Sequence, residues 1–304
     1  MKNIFLFNLF LVFTLAIGIS ACTAERPDPS DQITVVATTS ILADVVSQVG
    51  GDLVVVTSLV PTGINIHEYQ PSPQNVAAVA DADLVFEVGL GLEEFMETII
   101  LNAGTKVEPV IVSEGIETME FSGGEDPHLS ADPHVWLDPA NVIIWTKNIA
   151  EALSAFDPDN RVIYEANSQA YITQLESLDT WIAGEVSKIP PENRQLVTDH
   201  MMFGYFADKY GFTIAGAIIP SYSSVAEPSA RELAELEDAI RKYNVRVILV
   251  GNTVNPALAS RVANDTGTQL VQFYTGSLSE PGGPASTYID YMRFNVNAIV
   301  SALD

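Results

Sequence analysis

Ile33-Thr34-Val35-Val36-Ala37-Thr38-Thr39-Ser40-Ile41-Leu42-Ala43-Asp44-Val45-Val46, followed by Leu53-Val54-Val55-Val56-Thr57-Ser58-Leu59-Val60, decides the fold. Ile33 to Thr39 is rich in β-branched residues and reads as a strand, Ser40 as a helix cap, and Leu53 to Val60 as a second strand. Strand, helix and strand at this spacing build a mostly parallel sheet with helices on its faces. The alternation continues with a short helix from Pro73 to Ala80, a strand at Asp83 to Val88, a helix over Leu92 to Asn102 and a strand at Val110 to Val112. It returns at Gln195 to Thr198, Thr213 to Ile219, Val245 to Val250 and Gln269 to Tyr274, with helices near 201–210, 229–243 and 256–266 between them and a last helix from Ala285 to Leu303. The expected fold class is α/β, two lobes each holding a mostly parallel four-stranded sheet with flanking helices.

Between the halves, a helix at about 140–155 precedes a longer one opened by Asp157-Pro158, in which Tyr171, Leu175, Leu178, Ile182, Val186 and Ile189 recur at helical spacing until Pro190-Pro191. Roughly 30 residues at 1.5 Å each give a rod of about 45 Å, a backbone helix joining the lobes. The expected plan is a signal peptide over 1–21, a tether over 22–32, an N-terminal α/β lobe over 33–156, the connecting helix over 157–190 and a C-terminal α/β lobe over 191–304.

Lys2 followed by an apolar run from Ile4 to Ile19, closed by Ile19-Ser20-Ala21-Cys22, has the layout of a secretory leader. It resembles a bacterial lipoprotein signal, which would make Cys22 the lipidated first residue of the mature chain and place the protein outside the cytoplasm, anchored to the cell membrane. Cys22 is the only cysteine, so no internal disulfide can form and stability rests on the core. A net charge of −25 argues against nucleic acid as a partner, and against an electrostatic grip on anionic lipid. A monomer is expected.

The chain has four histidines. His134 sits in Asp132-Pro133-His134-Val135-Trp136-Leu137-Asp138-Pro139, a proline-bracketed loop whose last two residues read as the cap and first residue of a helix. His67 follows the second strand, and His200 ends the first strand of the second half. Ligands in open α/β sheets gather beyond the carboxyl ends of strands. Facing lobes would let His67 and His134 meet His200 across a cleft, three imidazoles that suit Zn²⁺ and leave one position for a carboxylate or water. Taken singly, each histidine reads as readily as a surface or hydrogen-bonded structural residue, because the separations lack local chelate spacing.

Four motifs, in order, carry a resemblance: His67-Glu68-Tyr69-Gln70-Pro71-Ser72-Pro73; Asp132 to Pro139; Thr198-Asp199-His200-Met201-Met202-Phe203-Gly204-Tyr205-Phe206 with Tyr210-Gly211; and Glu227-Pro228-Ser229. With the tail Thr287 to Asn295, the chain over about 33–303 resembles the cluster A-I substrate-binding proteins that deliver zinc or manganese to ABC importers. The resemblance implies a metal site between the lobes with His67, His134 and His200 on the first three ligand positions. Histidine at the third favours zinc, with Mn²⁺ as the alternative metal. It also implies an ABC permease as partner and no enzymatic activity. Where that family commonly has a fourth, aspartate ligand, this chain has Gly276, so water, Glu280 or Glu68 is expected to complete the site. Glu125-Asp126-Pro127-His128 falls where zinc-type relatives carry a longer His-rich loop, so His128 is either an accessory metal contact or part of a solvated loop. A zinc hydrolase, with Glu68 as the only adjacent acid, and a metal-containing adhesin are the competing functions.

Overall fold

β1 (Ile33–Ala37) pairs in parallel with β2 (Val54–Ser58) on one side and β3 (Leu84–Glu87) on the other, and β4 (Val110–Ile111) adds to β3 at the edge. The computed structural model describes residues 32–104, 107–119 and 131–304. The expected leader, Cys22 and the segment from Glu125 to His128 lie outside the described residues. α1 (Ser40–Gly50) is capped by Thr39 and not, as the sequence suggests, by Ser40: Thr39 is extended at φ −122°, and its Oγ1 accepts the Leu42 N–H at 3.1 Å. Ser40 is thereby free to accept the Leu278 N–H from the second lobe at 3.0 Å.

α2 (Pro73–Ala80) forms as expected behind a Ser72–Asn75 capping box. α3 (Met96–Ala103) begins later than the expected Leu92. Gly89, Leu90 and Gly91 have φ of 84°, 59° and 81°, left-handed values that turn the chain just where the helix would have started. The turn carries Glu93 back to the strand ends. Its carboxylate accepts the Val88 and Gly89 N–H groups at 2.8 and 3.0 Å and the Thr38 hydroxyl at 2.6 Å.

The chain leaves this lobe through α4 (Pro139–Phe156), capped by Asp138 Oδ1 on the Ala140 N–H at 2.7 Å. α5 (Arg161–Val186) follows a 3-10 turn over Pro158–Asn160. Its 26 residues make a rod of about 39 Å, somewhat shorter than the sequence implies because the first and last turns are not α-helical. The second sheet has β5 (Gln195–His200) between β6 (Thr213–Ile219) and β7 (Val247–Gly251), with β8 (Gln269–Phe273) beyond β7, all parallel. β5 runs through His200, past the expected end at Thr198. α6 (Gly204–Tyr210), α7 (Ala230–Tyr243) and α8 (Ala257–Thr266) flank the sheet. α9 (Tyr288–Leu303) starts later than the expected Ala285 because Thr287, extended, caps it by accepting the Asp290 N–H at 3.2 Å.

The two sheets share one apolar core. It runs from Val35 and Phe86 in the first sheet through Trp145 on α4, Leu175 on α5 and Ile299 on α9 to Leu196 and Leu249 in the second. Lys209 on α6 adds a polar tie, reaching Asp138 at 2.7 Å and Asp179 at 3.1 Å. Among the described residues, no helix is long and apolar enough to cross a membrane.

Candidate metal centre

His200 is the last residue of β5, so the sheet itself aims it across the lobe junction. Asp199 next to it accepts both the His200 backbone N–H at 2.7 Å and Nδ1–H at 2.6 Å on Oδ1, while its Oδ2 accepts the Gly251 N–H at the end of β7 at 2.6 Å. His134 has the same arrangement without a strand: Asp132 Oδ1 accepts its backbone N–H at 2.9 Å and Nδ1–H at 2.8 Å. His67 lies in a 3-10 turn over Ile66–Glu68, where Asn65 Oδ1 accepts its backbone N–H at 3.1 Å. Asn65 also donates across the junction to Ser224 Oγ at 2.8 Å.

The three rings converge. His134 Nε2 stands 3.3 Å from His67 Nε2 and 3.3 Å from His200 Nε2, and one ring nitrogen from each of the three lies within 4.8 Å of the other two. An ionised carboxylate can only accept, so Asp199, and Asp132 in its ionised form, fix the tautomer that leaves a lone pair on Nε2 of His200 and of His134. Two lone pairs aimed at one point repel unless a cation sits between them. Nitrogens each about 2.05 Å from a tetrahedral ion stand about 3.3 Å apart, the spacing of His134 to each of the other two here. Burial, followed by the charges of the neighbouring imidazoles, pushes His67 and His134 well below the ordinary histidine range, which keeps both neutral and able to ligate.

The two supporting acids shift in opposite directions. Burial pushes Asp132 up to about 7. For Asp199 the same burial is outweighed by His200 and by the Gly251 N–H, so it is held below the usual carboxylate range. His200, as a charge and as a side-chain donor, does most of the lowering at Asp199, and the Gly251 N–H on its second oxygen adds to it, whereas Asp132 has only the His134 backbone N–H and a more distant His200. Trp136 packs edge-on against His134 with ring centroids 5.3 Å apart. Asn65, Ile66, Trp136, Thr253, Thr275 and Gly276 complete the wall around a space of about 10 Å³, close to the least that holds one water. A Cβ on Gly276 would meet only Ile66 Cγ2, at 3.8 Å. Neither Glu68 nor Glu280 belongs to the cluster. Both are exposed, and Glu68 is engaged by the Asn65 amide at 3.1 Å. His128 lies outside the described residues.

The three histidines expected together from the sequence do converge; the groups that orient them are less plain in the sequence. Asp132 and Asp199 carried a readable signal, an acid one or two residues ahead of a candidate ligand. Asn65 and Ser224, 159 residues apart, carried none.

Residues 35–302 match the sequence profile of the family described as zinc-uptake complex component A, periplasmic. A manganese-binding lipoprotein of Halalkalibacterium halodurans is 34% identical over 298 residues, covering 97% of each chain. Among solved structures, a manganese-bound mutant of a periplasmic metal-binding protein from Candidatus Liberibacter asiaticus superposes with a TM-score of 0.81 at 30% identity, covering 90% of this chain and 100% of that one. The periplasmic zinc-binding protein of Treponema pallidum also gives 0.81, at 26% identity, covering 90% of this chain and 99% of that one. The relatives divide between manganese and zinc.

Proposed function

The chain belongs to the zinc-uptake complex component A family of periplasmic metal-binding proteins, the substrate-binding components of ABC importers and not enzymes, and on that footing we propose that it captures one divalent transition metal with His67, His134 and His200 and hands it to an ABC permease. The observation that carries this reading is the pair of 3.3 Å Nε2 approaches, two of whose three nitrogens are held as lone-pair donors by carboxylates. Capture is by exchange of water for imidazole, and release needs only that the nitrogens part. The three residues come from both lobes, so a small separation of the lobes is sufficient.

Zn²⁺ is the metal that the donor set fits best. Three neutral nitrogens and room for one water make a tetrahedral site, whereas Mn²⁺ favours more oxygen donors. Manganese is the second reading, favoured by the relatives named for it. A lipid on Cys22, a position outside the cytoplasmic membrane and a monomeric chain complete the proposal.

Calorimetric titration of the metal-free protein with Zn²⁺ and with Mn²⁺ tests it. One site is expected, tighter for Zn²⁺, and His200→Ala should weaken it on the order of 100-fold, the share of one ligand in a four-ligand zinc site. Unchanged binding by His200→Ala would remove the ligand assignment. Tighter Mn²⁺ than Zn²⁺ binding would replace the metal and leave the ligands standing.

A further inference from the structure

Behind the histidines, the first turn of α9 reaches into the lobe junction with two tyrosines that are 0% exposed, Tyr288 and Tyr291. The Tyr291 hydroxyl donates to the Thr275 carbonyl at 2.6 Å and accepts the Trp136 indole N–H at 3.2 Å. That indole N–H is shared with the same Thr275 carbonyl, at 3.3 Å. Tyr288 stacks on Tyr291 with centroids 6.1 Å apart, donates its hydroxyl to the Trp136 carbonyl at 2.7 Å, and gives its backbone N–H to Asp44 on α1 at 2.8 Å. Three atoms therefore meet at one buried node: a phenol from α9, an indole from the turn after His134, and a carbonyl from the loop after β8.

Trp136 and Thr275, which meet at the Tyr291 hydroxyl, both adjoin the metal centre. Trp136 is two residues from His134 and packs against its ring. Thr275 precedes Gly276, and both line the space between the histidines. We propose that Tyr291 is a positioning residue for the metal site: by holding Trp136 and Thr275 to one hydroxyl, it fixes the ring of His134 relative to the opposite wall of the site and so sets how long the metal is retained. This rests on the reading of the three histidines as ligands and adds to it a control point that touches no metal. The physical basis is that groups behind a ligand fix its aim, and loss of such a group costs about 10–100-fold in metal affinity. Tyr291 acts at one remove further, through the indole, so the lower end, about tenfold, is expected.

The test uses the full chain loaded with Zn²⁺ and measures dissociation into excess chelator, along with the Zn²⁺ to Mn²⁺ affinity ratio. Tyr291→Phe keeps the ring and removes the hydroxyl. It should speed metal release about tenfold and change the affinity ratio, while the metal-free melting temperature falls no further than for Tyr164→Phe. Tyr164 is the control, a fully buried tyrosine whose hydroxyl bonds Asp157 at 2.9 Å, away from the site. Trp136→Phe breaks the same node from the other side and serves also if Tyr291→Phe fails to fold. The double variant should release metal no faster than the worse single one, because both act through one carbonyl. Release from Tyr291→Phe within twofold of wild type, an equal effect from Tyr164→Phe, or full additivity with Trp136→Phe would overturn the proposal. Those results would leave the ligand assignment intact, since that stands on His200→Ala.

Discussion

Both lobes bring a buried carboxyl group to the carboxyl ends of their two central strands, and they use it differently. In the second lobe Asp199, at the end of β5, reaches the Gly251 N–H at the end of β7 and simultaneously holds His200. In the first lobe Glu93 bridges Thr38, just past β1, and Val88, just past β3, and holds no histidine. The donors around them set the charge. Asp199 sits below the ordinary carboxylate range against the pull of burial, while burial outweighs the bonds to Glu93 and pushes it up to about 7. One lobe has turned its strand-end acid toward the histidine cluster. The other uses it to shape a loop, and its side of the junction is served from turns, by His67 and His134.

The sharpest way to break that contrast is Asp199→Asn. Removing the charge behind His200 should weaken Zn²⁺ binding by up to about 100-fold, read by chelator competition, whereas Glu93→Gln should leave affinity within about twofold. Equal losses would end the division of labour between the acids. Glu93 should show itself in stability. Its folded pKa of about 7 lies above the unfolded value near 4.5, so between these values the native state holds a proton that the unfolded chain has released. Stability then falls as pH rises through this window, by about 2 kcal/mol between pH 5 and 7. Thermal melts of the metal-free protein should show Glu93→Gln gaining on wild type by that amount over the same range. Asp132, also raised to about 7, adds a slope of the same sign to both proteins and cancels in the comparison.

How much of this could be read from residues alone differs between the lobes. The strand and helix alternation, both parallel sheets and the three histidines follow from β-branched runs, helical spacing and strand-end position. His200 was the easiest, because a strand delivers it. The late start of α3 was not legible: three consecutive positive φ values, one of them on Leu90, leave no mark that a helical pattern would reveal. Nor were the contacts that close the junction, Asn65 to Ser224 and Trp136 to Tyr291, 159 and 155 residues apart. Such pairings exist only once both lobes have formed. In the sequence Gly276 marks only an absent ligand side chain; the open space beside its Cα, with Ile66 Cγ2 at 3.8 Å, belongs to the fold and leaves no trace in the residues.

That space gives a smaller test on the second lobe's side. Gly276→Asp adds an oxygen donor on a Cβ that meets only Ile66 Cγ2, at 3.8 Å, and should raise Mn²⁺ affinity relative to Zn²⁺ by about tenfold, measured by competition between the two metals. An unchanged ratio would mean that the wall at Gly276 does not face the metal. The smallest effect belongs to the turn that presents His67. Asn65→Ala removes a cap and a cross-junction bond together, and a cap is worth about 1 kcal/mol, so about a fivefold loss of affinity is expected, well short of that from Asp199→Asn.

The core that continues from Val35 to Leu249 through α4, α5 and α9 ties the fates of the two sheets. Each sheet also has a core of its own on its other face, around Val36 and Ile99 in the first lobe and Ile240 and Val250 in the second, but the inner face of each sheet is covered only by the shared layer, so loss of one exposes the other. Amide exchange should show the protected protons of β1 and β5 opening with one common free energy and one denaturant slope, as a single cooperative unit.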